Sequence, residues 1–184
     1  MPVSKRQNVV QSDSESSHVR PYLFHGVRLT ARGSHGVGDC PFCGREGKFS
    51  VAVDTGLWRC FVCGSGTEAG GGNALVFLRL LHERSLNASS RTLSFRDIAK
   101  DRKLLDPATV EAWGVCWSVM DNRTWLVPGY GADGKLDQVY KRIWMRDHTK
   151  PGGGSWRLLP TPGVWPEGKV HALHLPTTKT GNIS

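Results

Sequence analysis

The chain has 184 residues, enough for one ordinary domain or two small ones, and 24 Lys and Arg against 16 Asp and Glu give a formal charge of +8. No apolar run approaches the roughly 18 residues that would span a bilayer, and the polar N-terminus lacks the apolar core of a signal peptide. These features predict a cytoplasmic protein with no membrane role, whose charge suits contact with a polyanion; a basic protein that binds no nucleic acid is the alternative.

The first predicted structure is a β-hairpin. Residues 1–20 are polar and rich in serine, which predicts a disordered tail, and order is expected from residue 21. The segments KFSVAVD and LWRCFVC flank a turn at DTG, as strands of a hairpin do. Phe49, Val51 and Val53 alternate with small residues, so one face can pack on a core while the other stays open.

Four of the five cysteines lie in this hairpin region as two Cys-x-x-Cys pairs, Cys40 with Cys43 and Cys60 with Cys63. Each pair can deliver two thiolates from one tight turn, and the sixteen residues between the pairs are enough for a hairpin that returns the second pair to the first. The pattern predicts a tetrahedral Zn²⁺ site. Four thiolates leave no open coordination position, so this zinc is expected to be structural. A redox pair is the alternative, but no βαβ unit precedes Cys40.

Basic and aromatic residues lie side by side on the hairpin, and Lys48, Arg59 and Phe61 are the candidates for nucleic-acid contact. Basic groups can hold phosphates, and aromatic faces can stack on unpaired bases. The alternative is that Trp58 and Phe61 belong to the core and that the charges are only solvated. Cys116, between bulky apolar residues, is expected to be a buried small hydrophobic residue.

A helix with Asn73 as its N-cap is predicted over ALVFLRLLHER, and it completes a zinc-ribbon domain that covers residues 21–86. The residues 87–93 have few apolar anchors and are predicted to be a linker. The predicted fold class is α+β: a small zinc ribbon, built from a β-hairpin or sheet with a packed helix, followed by a small α+β unit.

That second unit is predicted over residues 94–150. Ser94 is expected to cap a short helix, and Asp106 with the proline after it marks another helix, which ends at Gly114. The segments RTWLVPGY and KLDQVYKRIWM follow as strands around the turn GADG. Residues 151–184 are rich in glycine and proline and are expected to be poorly defined.

No catalytic arrangement is evident in the sequence, and no catalytic residue is predicted. The segment GSGTEAGGG lacks the Gly-Lys-Ser/Thr of a phosphate-binding loop. His171 and His174 have no third metal ligand near them, and no Ser/His/Asp set or carboxylate pair stands out.

The motifs CPFCG, LWRCFVCGSG and NALVFLRLL resemble the zinc-binding domain of bacterial and phage DNA primases. DRKLLDPATVEAWGV and TWLVPGYGADGKLDQVYKRIW resemble the start of the primase RNA-polymerase domain, which follows the zinc domain across a linker. The resemblance covers residues 21–146. Many zinc ribbons share the cysteine spacing, so the ordered succession of the two units makes the resemblance specific.

Two departures from the family pattern affect what the resemblance implies. Cellular primases usually have histidine at the second ligand position, where this chain has Cys43, as some phage primase-helicases do. The family's magnesium-binding TOPRIM module carries a Glu-Gly motif and an Asp-x-Asp motif, but no Asp-x-Asp follows Glu167 here. We therefore interpret Glu167 as a loop residue, expect Mg²⁺ only in a missing catalytic module, and leave open whether the chain is itself an enzyme.

The resemblance implies the zinc-binding, template-recognising portion of a DNA primase, which takes part in RNA primer synthesis during DNA replication. Its expected contacts with single-stranded template DNA are Lys48, Arg59 and Phe61 on the ribbon and Lys141 and Arg142 in the second unit. The implied partners are a replicative helicase or a TOPRIM-containing chain, in the nucleoid or in a phage replication complex. The alternatives are a non-catalytic zinc-ribbon module that binds nucleic acid or a replication partner, and a purely structural zinc domain.

Overall fold

The computed structural model describes residues 16–64, 70–91, 106–121, 124–131, 133–146, 149 and 153–164. The elements are, in chain order, α1 (Arg20–Phe24), β1 (Thr30–Arg32), β2 (His35–Gly38), β3 (Phe49–Ala52), β4 (Trp58–Cys60), β5 (Gly71–Gly72), α2 (Ala74–Arg91), α3 (Pro107–Ala112), β6 (Cys116–Trp117), β7 (Trp125–Tyr130), β8 (Leu136–Arg146) and β9 (Gly154–Pro160). Antiparallel sheets with a few helices confirm the predicted α+β class. In these described ranges no helix is long and apolar enough to cross a membrane.

The chain divides into two compact units, Met1–Phe77 and Leu78–Ser184, and the boundary falls within α2. The first unit contains a five-stranded antiparallel sheet in the order β1-β2-β3-β4-β5. The strands β3 and β4 form the predicted hairpin, with Phe49 opposite Cys60 and Val51 opposite Trp58. This register places both halves of the hairpin's apolar face on the same side of the sheet.

Strands β1 and β2 were not predicted, and their sequence explains why. They lie in the segment TARGSHGVG, which has no apolar alternation. A Cβ atom at Gly38 would stand 2.0 Å from the carbonyl oxygen of Arg28, so glycine at this position is needed for the close approach of the two segments. A rule that treats glycine as a strand breaker therefore misses a strand that depends on glycine.

Aromatic side chains form the core of the first unit. Tyr22, Phe49, Trp58 and Phe77 are buried, and five of the six pairs of these rings have centroids 4.9 to 6.1 Å apart. Trp58 therefore belongs to the core, as the alternative interpretation of the hairpin held, whereas Phe61 has 61% of its surface exposed. Trp58 on β4 and Phe61 directly after β4 therefore have different roles.

Order begins earlier than residue 21. Val19 is buried, α1 starts at Arg20, and the Ser16 hydroxyl donates a hydrogen bond to the carbonyl of Val53 in the turn after β3. One apolar side chain and one hydroxyl attach this segment, and neither produces hydrophobic periodicity in the sequence. The rest of the predicted tail, residues 1–15, lies outside the described residues.

Helix α2 begins as predicted, because the Asn73 side chain accepts a hydrogen bond of 3.0 Å from the N–H of Val76. The helix continues to Arg91, although residues 87–93 were predicted to be a linker. Its C-terminal half carries two buried serines. The Ser85 hydroxyl accepts from the N–H of Val119, and the Ser89 hydroxyl accepts from the N–H of Trp117 on β6. Polar anchors of this kind extend a helix beyond the end of its apolar face.

The second unit contains a four-stranded antiparallel sheet in the order β6-β7-β8-β9. Helix α3 precedes it, with Asp106 accepting from the N–H of Ala108 at 3.1 Å and Gly114 adopting a φ of +67° after the helix. Cys116 on β6 is fully buried, as expected. The predicted helix cap Ser94 and the loop residue Glu167 lie outside the described residues.

Strand β9 corrects the expectation that residues 151–184 are poorly defined, but only for residues 153–164, because the rest of that range lies outside the described residues. It pairs with β8 from Tyr140 opposite Pro160 to Arg146 opposite Gly154. Directly after it, the buried Thr161 donates to the carbonyl of Val139 from both its N–H and its hydroxyl, at 3.1 and 2.7 Å. Strand β9 is stabilised by pairing along the long strand β8 and by the hydrogen bonds of Thr161. The Gly/Pro-rich composition of the segment reveals neither.

Candidate metal centre

The structure brings the four predicted cysteines together beside the C-terminal ends of β2 and β4 in the first sheet. Their sulfur atoms all lie within 4.8 Å of one another. The Sγ atoms of Cys40 and Cys63 are 3.7 Å apart, and so are those of Cys43 and Cys60. Each of these short distances joins one Cys-x-x-Cys pair to the other, so the hairpin returns the second pair to the first.

Local backbone geometry positions each pair. The N–H of Phe42 donates to the Sγ of Cys40 at 3.4 Å, and the N–H of Val62 donates to the Sγ of Cys60 at the same distance. The chain then turns back through Gly44, which adopts a φ of +69° that other residues rarely reach. Both pairs are therefore tight turns whose N–H groups point at sulfur and stabilise a thiolate.

The cluster is electrostatically suited to a cation. Burial raises the pKa of Cys40 to about 11, and burial together with the neighbouring thiols raises the pKa of Cys63. Burial also acts to raise the pKa of Cys60, but hydrogen bonds from the N–H groups of Val62 and Cys63 and from the thiols of Cys40 and Cys63 together lower it to about 7. Without a cation, the four sulfurs cannot all be ionised at neutral pH, because each thiolate makes the next one less favourable.

This donor set fits Zn²⁺. Four sulfurs at about 2.3 Å from a tetrahedral zinc would be about 3.8 Å from one another, close to the 3.7 Å of the two short pairs. Cys40, Cys43, Cys60 and Cys63 could together hold the ion, which would neutralise the thiolates and cross-link two turns of a small domain. Such a site would supply folding free energy and no chemistry.

The three ribbon residues predicted to contact DNA lie beside the second cysteine pair. The guanidinium of Arg59 is 5.1 Å from the ring centroid of Phe61, and the N–H of Phe61 donates to the carbonyl of Lys48 at 3.1 Å. All three residues are exposed. The structure thus brings them together on one part of the ribbon, while their contact with DNA stays a prediction.

The two candidates in the second unit are placed differently. Lys141 and Arg142 follow one another on β8, so their side chains leave opposite faces of the sheet. The guanidinium of Arg142 lies between two indoles, 4.1 Å from the ring centroid of Trp125 and 4.3 Å from that of Trp156. Lys141 is half-buried, and this burial lowers its pKa although the charge of Asp121 opposes the shift.

Sequence reasoning missed two exposed tryptophans of the second unit. Trp144 and Trp156 have 48% and 51% of their surface exposed and lie opposite one another on β8 and β9. In KRIWMR a basic, an aromatic and a basic residue (Arg142, Trp144 and Arg146) occupy every second position, and in SWRLL a basic residue follows Trp156 directly. That signal could have identified Trp144, but its pairing with Trp156 depends on a strand that was not predicted.

Comparisons with known proteins add little to this geometry. No family model matches the chain, and no curated protein matches it. One similar solved structure is the crystal structure of the Aquifex aeolicus primase, zinc-binding and RNA polymerase domains, at 13% identity and a TM-score of 0.30. The match covers 82% of this chain and 54% of that one, so the chain spans about half of that structure's length. At this TM-score the likeness carries no argument about function.

Proposed function

We propose that this chain is a zinc-binding module that recognises single-stranded template DNA as part of a DNA primase. The observation that carries the proposal is the exposed pair of Arg59 and Phe61 on either side of the metal-ligand candidate Cys60. A zinc ion at the cysteine cluster would hold this pair rigidly, and rigid aromatic and cationic groups lose little entropy when they bind.

The chemistry of these residues matches that of an unpaired nucleic-acid strand. Phe61 offers a ring face for a base, and Arg59 and Lys48 offer positive charges for the adjoining phosphates. The formal charge of +8 favours association with a polyanion in general. The motif resemblance to primases supplies the specific role, which is to present the template for RNA primer synthesis in a cytoplasmic replication complex. Mg²⁺ and the catalytic acids would come from a TOPRIM-containing module.

Titration of fluorescent single-stranded DNA at several salt concentrations tests the binding role. We expect Phe61→Ala to weaken binding by about 1–3 kcal/mol and Arg59→Ala to reduce the salt slope by about 0.7, the change for one phosphate contact on a single strand. Arg32→Ala is the matched control, because Arg32 is exposed on β1, three strands from Arg59 in the sheet order. Unchanged affinity in both test variants would refute the assignment.

A priming assay tests the primase role. The chain is mixed with a purified TOPRIM-containing chain, Mg²⁺, ribonucleotides and single-stranded template. We expect primers only when both chains are present, and fewer primers with Phe61→Ala. Equal primer yield with and without this chain would contradict a role in template recognition.

The alternative function, a non-catalytic module that docks on a replication protein such as a helicase, is favoured by one observation. Leu57, Phe61 and Val62 are 54%, 61% and 48% exposed around β4, which is a large apolar content for so small a surface. Sedimentation with a purified replicative helicase would distinguish the two functions. A complex weakened by Leu57→Ser and Val62→Ser, with DNA binding unchanged, would favour docking on a protein.

A further inference from the structure

The second unit presents a pair of exposed tryptophans that neither the zinc cluster nor the ribbon accounts for. Trp144 on β8 and Trp156 on β9 lie directly opposite in the strand register, and their ring centroids are 5.3 Å apart at an interplanar angle of 68°. About half of each side chain is open to solvent. Isolated exposed tryptophans are common, but two in register on paired strands form a contiguous aromatic surface.

Each ring packs against a defined neighbour in the second unit. The guanidinium of Arg142 lies against Trp156 at 4.3 Å and against the buried Trp125 at 4.1 Å, so cation–π contacts connect the exposed ring to the interior. Trp144 lies against Gly154, where a Cβ atom would stand 2.5 Å from its Cζ2 atom. Glycine at that position makes room for the indole.

Close to the pair in the sequence, basic residues outnumber the one acidic residue, Asp147. Val139–Arg146 and Gly154–Pro160 contain no acidic residue, and their cations are Lys141, Arg142, Arg146 and Arg157. Arg146 is exposed on the same face of the sheet as the tryptophans, whereas Lys141 and Arg157 leave the opposite face. A ligand that fits this surface carries both negative charge and flat apolar faces, and unpaired nucleic acid has both.

We propose that Trp144 and Trp156 form a base-stacking platform for single-stranded nucleic acid, with Arg146 contacting a flanking phosphate. The proposal rests on the nucleic-acid role proposed above, but it assigns that role to a different surface and to residues of the second unit alone. On this platform the bases supply affinity by stacking, without any requirement for a particular base. Arg142 is a positioning residue that keeps Trp156 in place.

The test compares two fluorescent strands that carry the same number of phosphates, one of oligothymidine and one of abasic nucleotides. The full chain in its zinc-loaded form is titrated with each strand, and fluorescence anisotropy is recorded at three salt concentrations. The wild-type chain is expected to bind the base-bearing strand at least about fivefold more tightly than the abasic strand, since even one weak stack of about 1 kcal/mol gives this factor.

Variants locate the effect on the platform. Trp144→Leu and Trp156→Leu should each weaken binding of the base-bearing strand by about fivefold or more while leaving the abasic strand and the salt slope unchanged. Gly154→Ala should act in the same direction without removing either ring, because its methyl group displaces the Trp144 indole. Met145→Ala is the matched control, since Met145 is also exposed on β8 but leaves the opposite face.

The outcomes separate this inference from the proposed function. Salt-dependent binding with no preference for bases, or with a preference unaffected by the tryptophan variants, overturns the platform and leaves the proposed function standing. Absence of binding to either strand overturns both. A change of oligomeric state in Trp144→Leu and Trp156→Leu, measured by sedimentation without DNA, would assign the surface to a second copy of the chain and would also overturn the platform.

Discussion

The two units of this chain differ in what stabilises them. The sheet of the first unit is built from strands of two to four residues, and its core is a cluster of aromatic rings beside four thiols. The second unit has strands of up to eleven residues, and among the described residues the only group that could hold a metal ion belongs to the first unit. Small domains with short strands usually need a metal or a disulfide to fold, whereas longer strand pairing can suffice alone.

Metal removal should therefore affect the two units very differently, and this is the largest effect we expect. Structural zinc in small domains binds with about 10–16 kcal/mol, at least as much as the roughly 5–15 kcal/mol by which a typical domain is stable. A chelator should abolish hydrogen-exchange protection in β3 and β4 and leave β7 and β8 protected. Mass spectrometry of the exchanged peptides measures this directly.

Two cysteine variants provide the control for that experiment. Cys60→Ser should remove zinc and unfold the first unit. Cys116→Ser should leave the zinc content at one ion per chain, because Cys116 lies on β6 in the second unit. Loss of protection in both units on chelation would contradict the view that the metal acts locally.

A second comparison lies within the ribbon, between one buried and one exposed aromatic residue. Trp58 has 2% of its surface exposed and contacts Phe49 and Phe77, so Trp58→Ala should cost about 3–5 kcal/mol of unfolding free energy. Phe61→Ala should stay within about 0.5 kcal/mol of wild type while weakening DNA binding. Denaturant unfolding of the zinc-loaded chain, followed by circular dichroism, measures both. Equal destabilisation by the two variants would contradict the view that Trp58 is part of the core and Phe61 is not.

Those parts of the fold that depend on signals close together in the sequence could be predicted. The two Cys-x-x-Cys pairs and the turn between β3 and β4 specify the hairpin, and the helix caps Asn73 and Asp106 lie where local chemistry places them. The strands β7 and β8 follow from apolar segments on either side of one turn. In each of these cases the residues that matter lie within a short stretch of sequence.

The remaining features depend on contacts between distant residues. Strand β9 forms because a long β8 edge is present and Thr161 anchors its end, and neither condition is visible in the segment itself. The pairing of Trp144 with Trp156 requires knowledge of that register. The hairpin sequence also left open which aromatic residue is core, because Trp58 and Phe61 are three apart and burial depends on the rings that cover them.

The smallest effect that we expect is a pH dependence of stability that has a different cause in each unit. His82 is buried in the second unit, and its Nε2–H donates to the carbonyl of Gly114 at 2.7 Å, since a carbonyl oxygen can only accept. Burial lowers the pKa of His82 below its usual 6.5, although the hydrogen bond to Gly114 opposes this shift. His82 therefore binds a proton more tightly in the unfolded chain than in the folded chain. The stability of the second unit should decrease as the pH falls through about 6.5.

The variant His82→Gln isolates this contribution, because an amide N–H can still donate to Gly114 but the side chain cannot titrate. We expect hydrogen-exchange protection of β7 and β8 to fall between pH 7.5 and pH 5 in the wild-type chain, after correction for intrinsic exchange rates, and to fall less in the variant. Acid acts on the first unit through a different group, the thiolates of the cysteine cluster, so protection of β3 and β4 should fall equally in both proteins. An identical pH profile for β7 and β8 in the two proteins would show that His82 does not control the acid sensitivity of the second unit.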